Sequence, residues 1–98
     1  MQVKISVQAA EDIVSIAQYT LLNFGPDQAR KYHAGLEYSF ELLADNPRLG
    51  QEVRRSDRAG EFRRYIYKSH YVFYEIQPNA IIIGTIRNTR QAMPEEWD

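Results

Sequence analysis

Residues 62–90 read FRRYIYKSHYVFYEIQPNAIIIGTIRNTR. Apolar and polar side chains alternate along this stretch, which is the period of a strand. Two breaks divide it, Lys68-Ser69 and Pro78-Asn79. Three strand-like runs joined by turns this short favour an antiparallel meander. Pro78-Asn79 is a clear turn, whereas Lys68-Ser69 lacks the usual Asn-Gly chemistry. The last run, 80–87, places Ile81, Ile82, Ile83 and Ile86 on both parities. A strand of that kind is expected inside the sheet and covered on both faces. The rest of the chain must therefore supply a cover.

The first half has the residues to do so. Residues 2–7 alternate Val3, Ile5 and Val7, as in a half-buried strand. Ser6 stands where an N-cap belongs. Residues 8–24 set Ile13, Ile16, Ala17, Thr20 and Phe24 at steps of three and four, an amphipathic stripe. Glu11 and Asp12 lie near the start, where the helix dipole favours negative charge. Gly25-Pro26 ends this helix and opens a second. Its stripe is Ala29, Tyr32, Leu36, Phe40 and Leu43, and Asn46-Pro47 stops it. So short a joint makes the helices antiparallel neighbours. Residues 47–61 read as a loop carrying Arg48, Arg54, Arg55 and Arg58. The expected fold is α+β, in the order βααβββ. A small, mostly antiparallel sheet carries an α-helical hairpin on one face.

The 98 residues have room for a single core, so 1–98 is expected to be one domain. Cysteine is absent, which removes disulfides, thiolate nucleophiles and zinc ribbons. His33 and His70 have no partner at a metal-ligand spacing, and the five glycines form no phosphate loop. No cofactor, metal or membrane segment is expected, and a cytoplasmic location follows. Ser69 and His70 are neighbours on a strand, where adjacent side chains point to opposite faces, so nothing marks a hydrolytic triad.

Charge is unevenly spread. Residues 48–90 carry nine basic side chains against four acidic ones, while 1–47 carry three against six. An acidic partner for the sheet fits that balance. Arg63, Arg64, Tyr67, His70, Arg87 and Arg90 are expected on one sheet face, where two chemistries are open. One is metal-free RNA cleavage, in which only His70 titrates near neutrality. The other, favoured, is bidentate pairing of the arginines with carboxylates of a protein. Tyr65, Tyr67, Tyr71 and Tyr74 read as core edge and protein interface.

Several segments carry a resemblance that spans nearly the whole chain. They are Ala10-Glu11-Asp12-Ile13, Ile16-Ala17-Gln18-Tyr19-Thr20, Phe24-Gly25 and Gln28-Ala29. Further on come Leu42-Leu43-Ala44, Asn46-Pro47 and Leu49-Gly50. The most specific are Gly60-Glu61-Phe62-Arg63-Arg64, Ser69-His70 and Val72-Phe73-Tyr74. In this order they resemble the ParE family of type II toxins, within the RelE/ParE superfamily. The resemblance implies the βααβββ fold and a toxin neutralised by a ParD-like ribbon-helix-helix antitoxin in a hetero-oligomer. Operator DNA would then be met only through the antitoxin. Its disordered tail would fold along the helical hairpin and the sheet, with Ile16, Tyr19, Tyr32, Leu36, Arg63, Arg64 and Tyr74 as contacts.

The family's usual target is DNA gyrase, poisoned by binding and without catalysis. Residues 62–70 and 87–97 would carry the target contacts, with Arg63, Arg64, His70, Arg87, Arg90 and Trp97 as candidates. The alternatives are a RelE-like mRNA endoribonuclease and an inactive, partner-binding relic. RelE-like chains carry a C-terminal Tyr or His, and none follows Tyr74 here. Many ParE-like chains carry a His and then Met-Asp after the last strand. Aligned on Ile82-Ile83, this chain has Arg87 and Arg90-Gln91 at those places.

Overall fold

The computed structural model describes residues 1–91 and Trp97. The elements are β1 (Gln2–Ile5), α1 (Val7–Phe24), α2 (Pro26–Asp45), a 3₁₀ turn (Pro47–Leu49), β2 (Gln51–Val53), β3 (Glu61–Tyr67), β4 (His70–Gln77) and β5 (Ala80–Asn88). The five strands form one sheet in the order β1-β5-β4-β3-β2. Only β1 runs parallel to its neighbour. The β3-β4-β5 meander is as expected, with Lys68 in the left-handed region at the first turn, φ 52°.

Two details of the first half differ from expectation. Val7 does not belong to β1; it opens α1 and is exposed. Ser6 caps that helix, its Oγ accepting from the Ala9 N–H at 3.0 Å. The same hydroxyl donates to the Gly84 carbonyl at 2.7 Å, so one side chain starts the helix and fastens it to β5. Asp12 lies beyond the first turn and serves the sheet. Its Oδ2 accepts from the Ile86 N–H and the Thr85 hydroxyl, both at 2.9 Å. β1 pairs β5 only from Ala80 to Ile83. Beyond it, among the described residues, the side chains of Ser6 and Asp12 satisfy the edge of β5.

The helical hairpin covers the inner face of the sheet. Ala9, Leu36, Phe40, Leu43, Val72, Tyr74, Ile81, Ile83 and Ile86 form the main core. Phe24, assigned to the stripe of α1, is instead 65% exposed. It is the last residue of α1, next to Gly25, which ends the helix with φ 89°.

A bulge explains the mixed parity of β5. Phe73 pairs Thr85 and Tyr74 pairs Ile83, so Gly84 is the extra residue. Past a bulge the side-chain alternation inverts. Ile81, Ile83 and Ile86 therefore all face the helices, and Ile82 points the other way. On that outer face Val53, Phe62, Phe73 and Trp97 make a second, smaller cluster.

Residues 47–61 are not one loop. They hold the 3₁₀ turn and β2, whose Val53 pairs Phe62 and is buried in the outer cluster. A three-residue strand with one buried side chain leaves no period to detect.

Candidate interaction surfaces

β3 separates the two arginines that are adjacent in sequence. Arg63 pairs Tyr74 and shares its inner face; Arg64 pairs Phe73 and shares the outer one. Arg63 is occupied by its own chain. Its guanidinium donates to the Gly50 carbonyl at 2.6 Å and to Glu61 at 3.2 Å, and meets Glu52 at 3.4 Å. Arg48 grips the other side of Glu61 through two bonds, at 3.0 and 2.9 Å. The hydrogen bond from Arg48, then that from Arg63, holds the Glu61 carboxyl below its usual range. With 13% of its side chain exposed, Arg63 ties the 3₁₀ turn and β2 to β3. Arg63, expected as a partner contact, spends these donors inside the fold.

The outer face is built from arginine and aromatic side chains. The Arg64 Cζ lies 4.4 Å from the Tyr71 ring centre, and Arg87 lies 5.4 Å from that of Phe73. Arg55 stands 4.7 Å from the Trp97 ring and Arg58 5.1 Å from Phe62. Arg58 also forks onto Glu75, at 2.7 and 3.4 Å, and Arg55 onto Asp57, at 2.7 and 2.9 Å. That hydrogen bond lowers the Asp57 carboxyl. Trp97, expected as a target contact, is 7% exposed. Its ring packs over Gly84, where a Cβ would come within 2.0 Å of the indole, and its backbone N–H donates to the Arg54 carbonyl at 2.9 Å. It is a packed member of the outer cluster.

His70 lies on the inner side. Its Nδ1 is 2.5 Å from the Tyr32 hydroxyl, which ties the β3-β4 turn to α2. Burial pushes the imidazole below its ordinary value. The expected common face of Arg63, Arg64, Tyr67, His70, Arg87 and Arg90 is therefore not formed. Arg64 and Arg87 share the outer face; Arg63, Tyr67 and His70 lie on the inner one, and Arg90 is exposed past the end of β5. Strand alternation separates Arg64 and Arg87 from the imidazole, and Arg63, which shares its face, is bonded to Gly50 and Glu61.

Of the expected antitoxin contacts, Leu36 and Tyr74 lie in the core, 1% and 0% exposed. Tyr74 uses its hydroxyl internally, donating to the Pro47 carbonyl at 2.5 Å and accepting from the Gly50 N–H at 3.0 Å. Ile16 and Tyr32 are half-buried between the helices and the sheet. Tyr19 is exposed and sits edge-on to Phe24. Sequence reasoning missed Val14, Leu21, Leu22 and Tyr38, large apolar side chains exposed on the hairpin. It also missed the stacking of Arg55 and Arg58. Among the target-contact span 87–97, residues 92–96 lie outside the described residues.

The family model described as "ParE toxin of type II toxin-antitoxin system, parDE" matches residues 3–93. The chain belongs to the ParE toxin family. This ParE-family chain is 32% identical over 89 residues to "Toxin ParE1" of Caulobacter vibrioides, covering 91% of each. Among solved structures it is similar to a chain of the chromosomal ParDE toxin-antitoxin system from P. aeruginosa. That match has a TM-score of 0.73 at 21% identity, over 90% of this chain and 95% of the other. A chain of the RelBE2 toxin-antitoxin complex from Mycobacterium tuberculosis matches with TM-score 0.58 at 17% identity, over 89% and 88%. At these identities the structural likenesses speak to the fold, and they agree that it is the ParE/RelE-like one. The chain is thus a ParE-family toxin of a type II toxin-antitoxin system.

Proposed function

We propose that this toxin is held inactive by a ParD-like antitoxin in a cytoplasmic hetero-oligomer. Once released, it arrests growth by binding and poisoning DNA gyrase, without catalysing a reaction. The observation that carries the antitoxin half is the exposed apolar surface of the hairpin. Val14, Tyr19, Leu21, Leu22, Phe24 and Tyr38 are each about half exposed or more, which is costly for a chain with no partner. An amphipathic tail that folds on binding would cover them. The gyrase half follows the family, and the separation of Arg64 and Arg87 from His70 by strand alternation supports action by binding over RNA cleavage.

Two assays test the reading. Purified toxin at saturation should block supercoiling by gyrase or trap its cleavage complex; normal gyrase cycling would refute the target. Leu22→Glu or Tyr19→Glu should weaken capture by a ParD-like antitoxin at least tenfold. Unchanged affinity in both variants would place the antitoxin elsewhere.

A further inference from the structure

α1 carries two apolar stripes. Ala9, Ile13 and Ile16 face the core. The second stripe is Val7, Ala10, Val14, Ala17, Leu21 and Phe24, spaced by threes and fours along the whole helix. That spacing is the a and d pattern of a heptad. Its large members are about half exposed or more, and Ala10 is exposed beside them. Ala17 is half-buried and lines a crevice with Ala29 and His33, so the stripe runs along the α2 side of α1. α1 has no basic residue, and of its two acids Asp12 is bonded to β5. A helix that is apolar on two sides is expected to be covered on both.

We propose that the toxin, when free, pairs with a second copy of itself through this stripe, the two α1 helices lying antiparallel about a twofold axis. The stripe is complementary to its own reverse. Antiparallel pairing sets Val7 against Phe24, Ala10 against Leu21 and Val14 against Ala17, so that the small side chains face larger ones in the inner layers. Parallel pairing sets alanine against alanine in two layers and leaves gaps. Charge selects the same direction. α2 doubles back along α1, so its first half lies beside the second half of α1. That first half, 26–35, holds Arg30 and Lys31 against Asp27, while 36–45 holds Glu37, Glu41 and Asp45 and no base. In the antiparallel pair Glu11 of each copy comes level with residues 18–20 of the other, beside the basic half of α2. In a parallel pair it would meet Glu37 and Glu41. The surface overlaps the one proposed for the antitoxin at Val14, Leu21 and Phe24, so an antitoxin there would have to displace the second copy. The inference concerns the toxin alone and does not rest on the antitoxin reading.

The test is sedimentation velocity of the full-length toxin alone, from about 1 µM to 1 mM, the span of weak association. The mass should double across that range. Val14→Glu places a charge at the centre of the stripe and should weaken pairing at least tenfold, with unchanged far-UV circular dichroism. Ile66→Glu, on the outer face of the sheet and equally half exposed, should leave pairing within twofold. Cysteine linkage gives the direction, because the chain has no cysteine of its own. Ala10→Cys mixed with Leu21→Cys should form a disulfide-linked dimer on mild oxidation. Neither should link to itself, because equivalent positions lie about 16 Å apart along the antiparallel pair, and a disulfide needs β-carbons about 4 Å apart. A toxin that stays monomeric throughout overturns the proposal and leaves the face to an antitoxin. Equal weakening by Ile66→Glu overturns it as well, and self-linkage of Ala10→Cys overturns the antiparallel arrangement.

Discussion

Tyr74 and His70 show what single side chains do in this fold. The Tyr74 phenol is buried, and burial raises its pKa. It stays a neutral hydroxyl that donates to Pro47 and accepts from Gly50. Tyr74→Phe leaves both backbone groups without a partner and should cost about 1–3 kcal/mol in urea unfolding; a loss under ~0.5 kcal/mol would mean that water replaces the hydroxyl. His70 sets a pH dependence. Its folded pKa is depressed by burial, so the unfolded chain takes up the proton first, near 6.5. Its contribution is complete above that pH and is lost as pH falls through it toward the lower folded value. Melting temperature should therefore decline from pH 7 to pH 5, and less steeply in His70→Gln; equal slopes would show that other groups govern the acid limb. Both residues stood out in the sequence, as an aromatic in a Tyr cluster and a His beside a turn. Their partners did not, because Tyr74 meets residues 24 and 27 positions away and His70 meets Tyr32, 38 positions away.

At the scale of elements, the boundaries of α1, α2 and the meander were legible because period, caps and breakers agree there. The edge of β5 was not. Asp12 looks like a dipole-favoured residue of a helix start, yet it closes the β5 edge where β1 runs out. Asp12→Ala should leave the Ile86 N–H and Thr85 hydroxyl unsatisfied and cost about 1–3 kcal/mol. The Ile86 amide should then exchange faster than those of β4, as hydrogen–deuterium exchange would show; unchanged protection would mean that α1 seals the edge by packing alone. The bulge at Gly84 is a second such device. It turns Ile86 inward and leaves a flat seat for Trp97. A Cβ there cannot fit beneath the indole without displacing it, so Gly84→Val should shift the Trp97 emission to longer wavelength. It should also destabilise by about 1–3 kcal/mol, with an unshifted spectrum arguing against this seating.

For the whole molecule, two clusters sit on opposite faces of one sheet and share β3 and β4. Neither has an element of its own large enough to stand alone, so the chain should unfold in one step. Trp97 is the only tryptophan and reports the outer cluster, while far-UV circular dichroism reports the helices. Their urea transitions should coincide; separate midpoints would show that the outer cluster opens on its own. The helical hairpin, the meander and their order, though not β2, were determined by the sequence alone. They depend on near neighbours: periods of two and 3.6, a Ser cap, Gly-Pro and Asn-Pro breaks. Which face each basic side chain serves was decided only in three dimensions. The register of β3 sends Arg63 into an internal network and Arg64 outward, and the bulge in β5 inverts the parity beyond Gly84. Register and bulges are set by pairing between strands far apart in the chain, and a shift of one residue exchanges the faces.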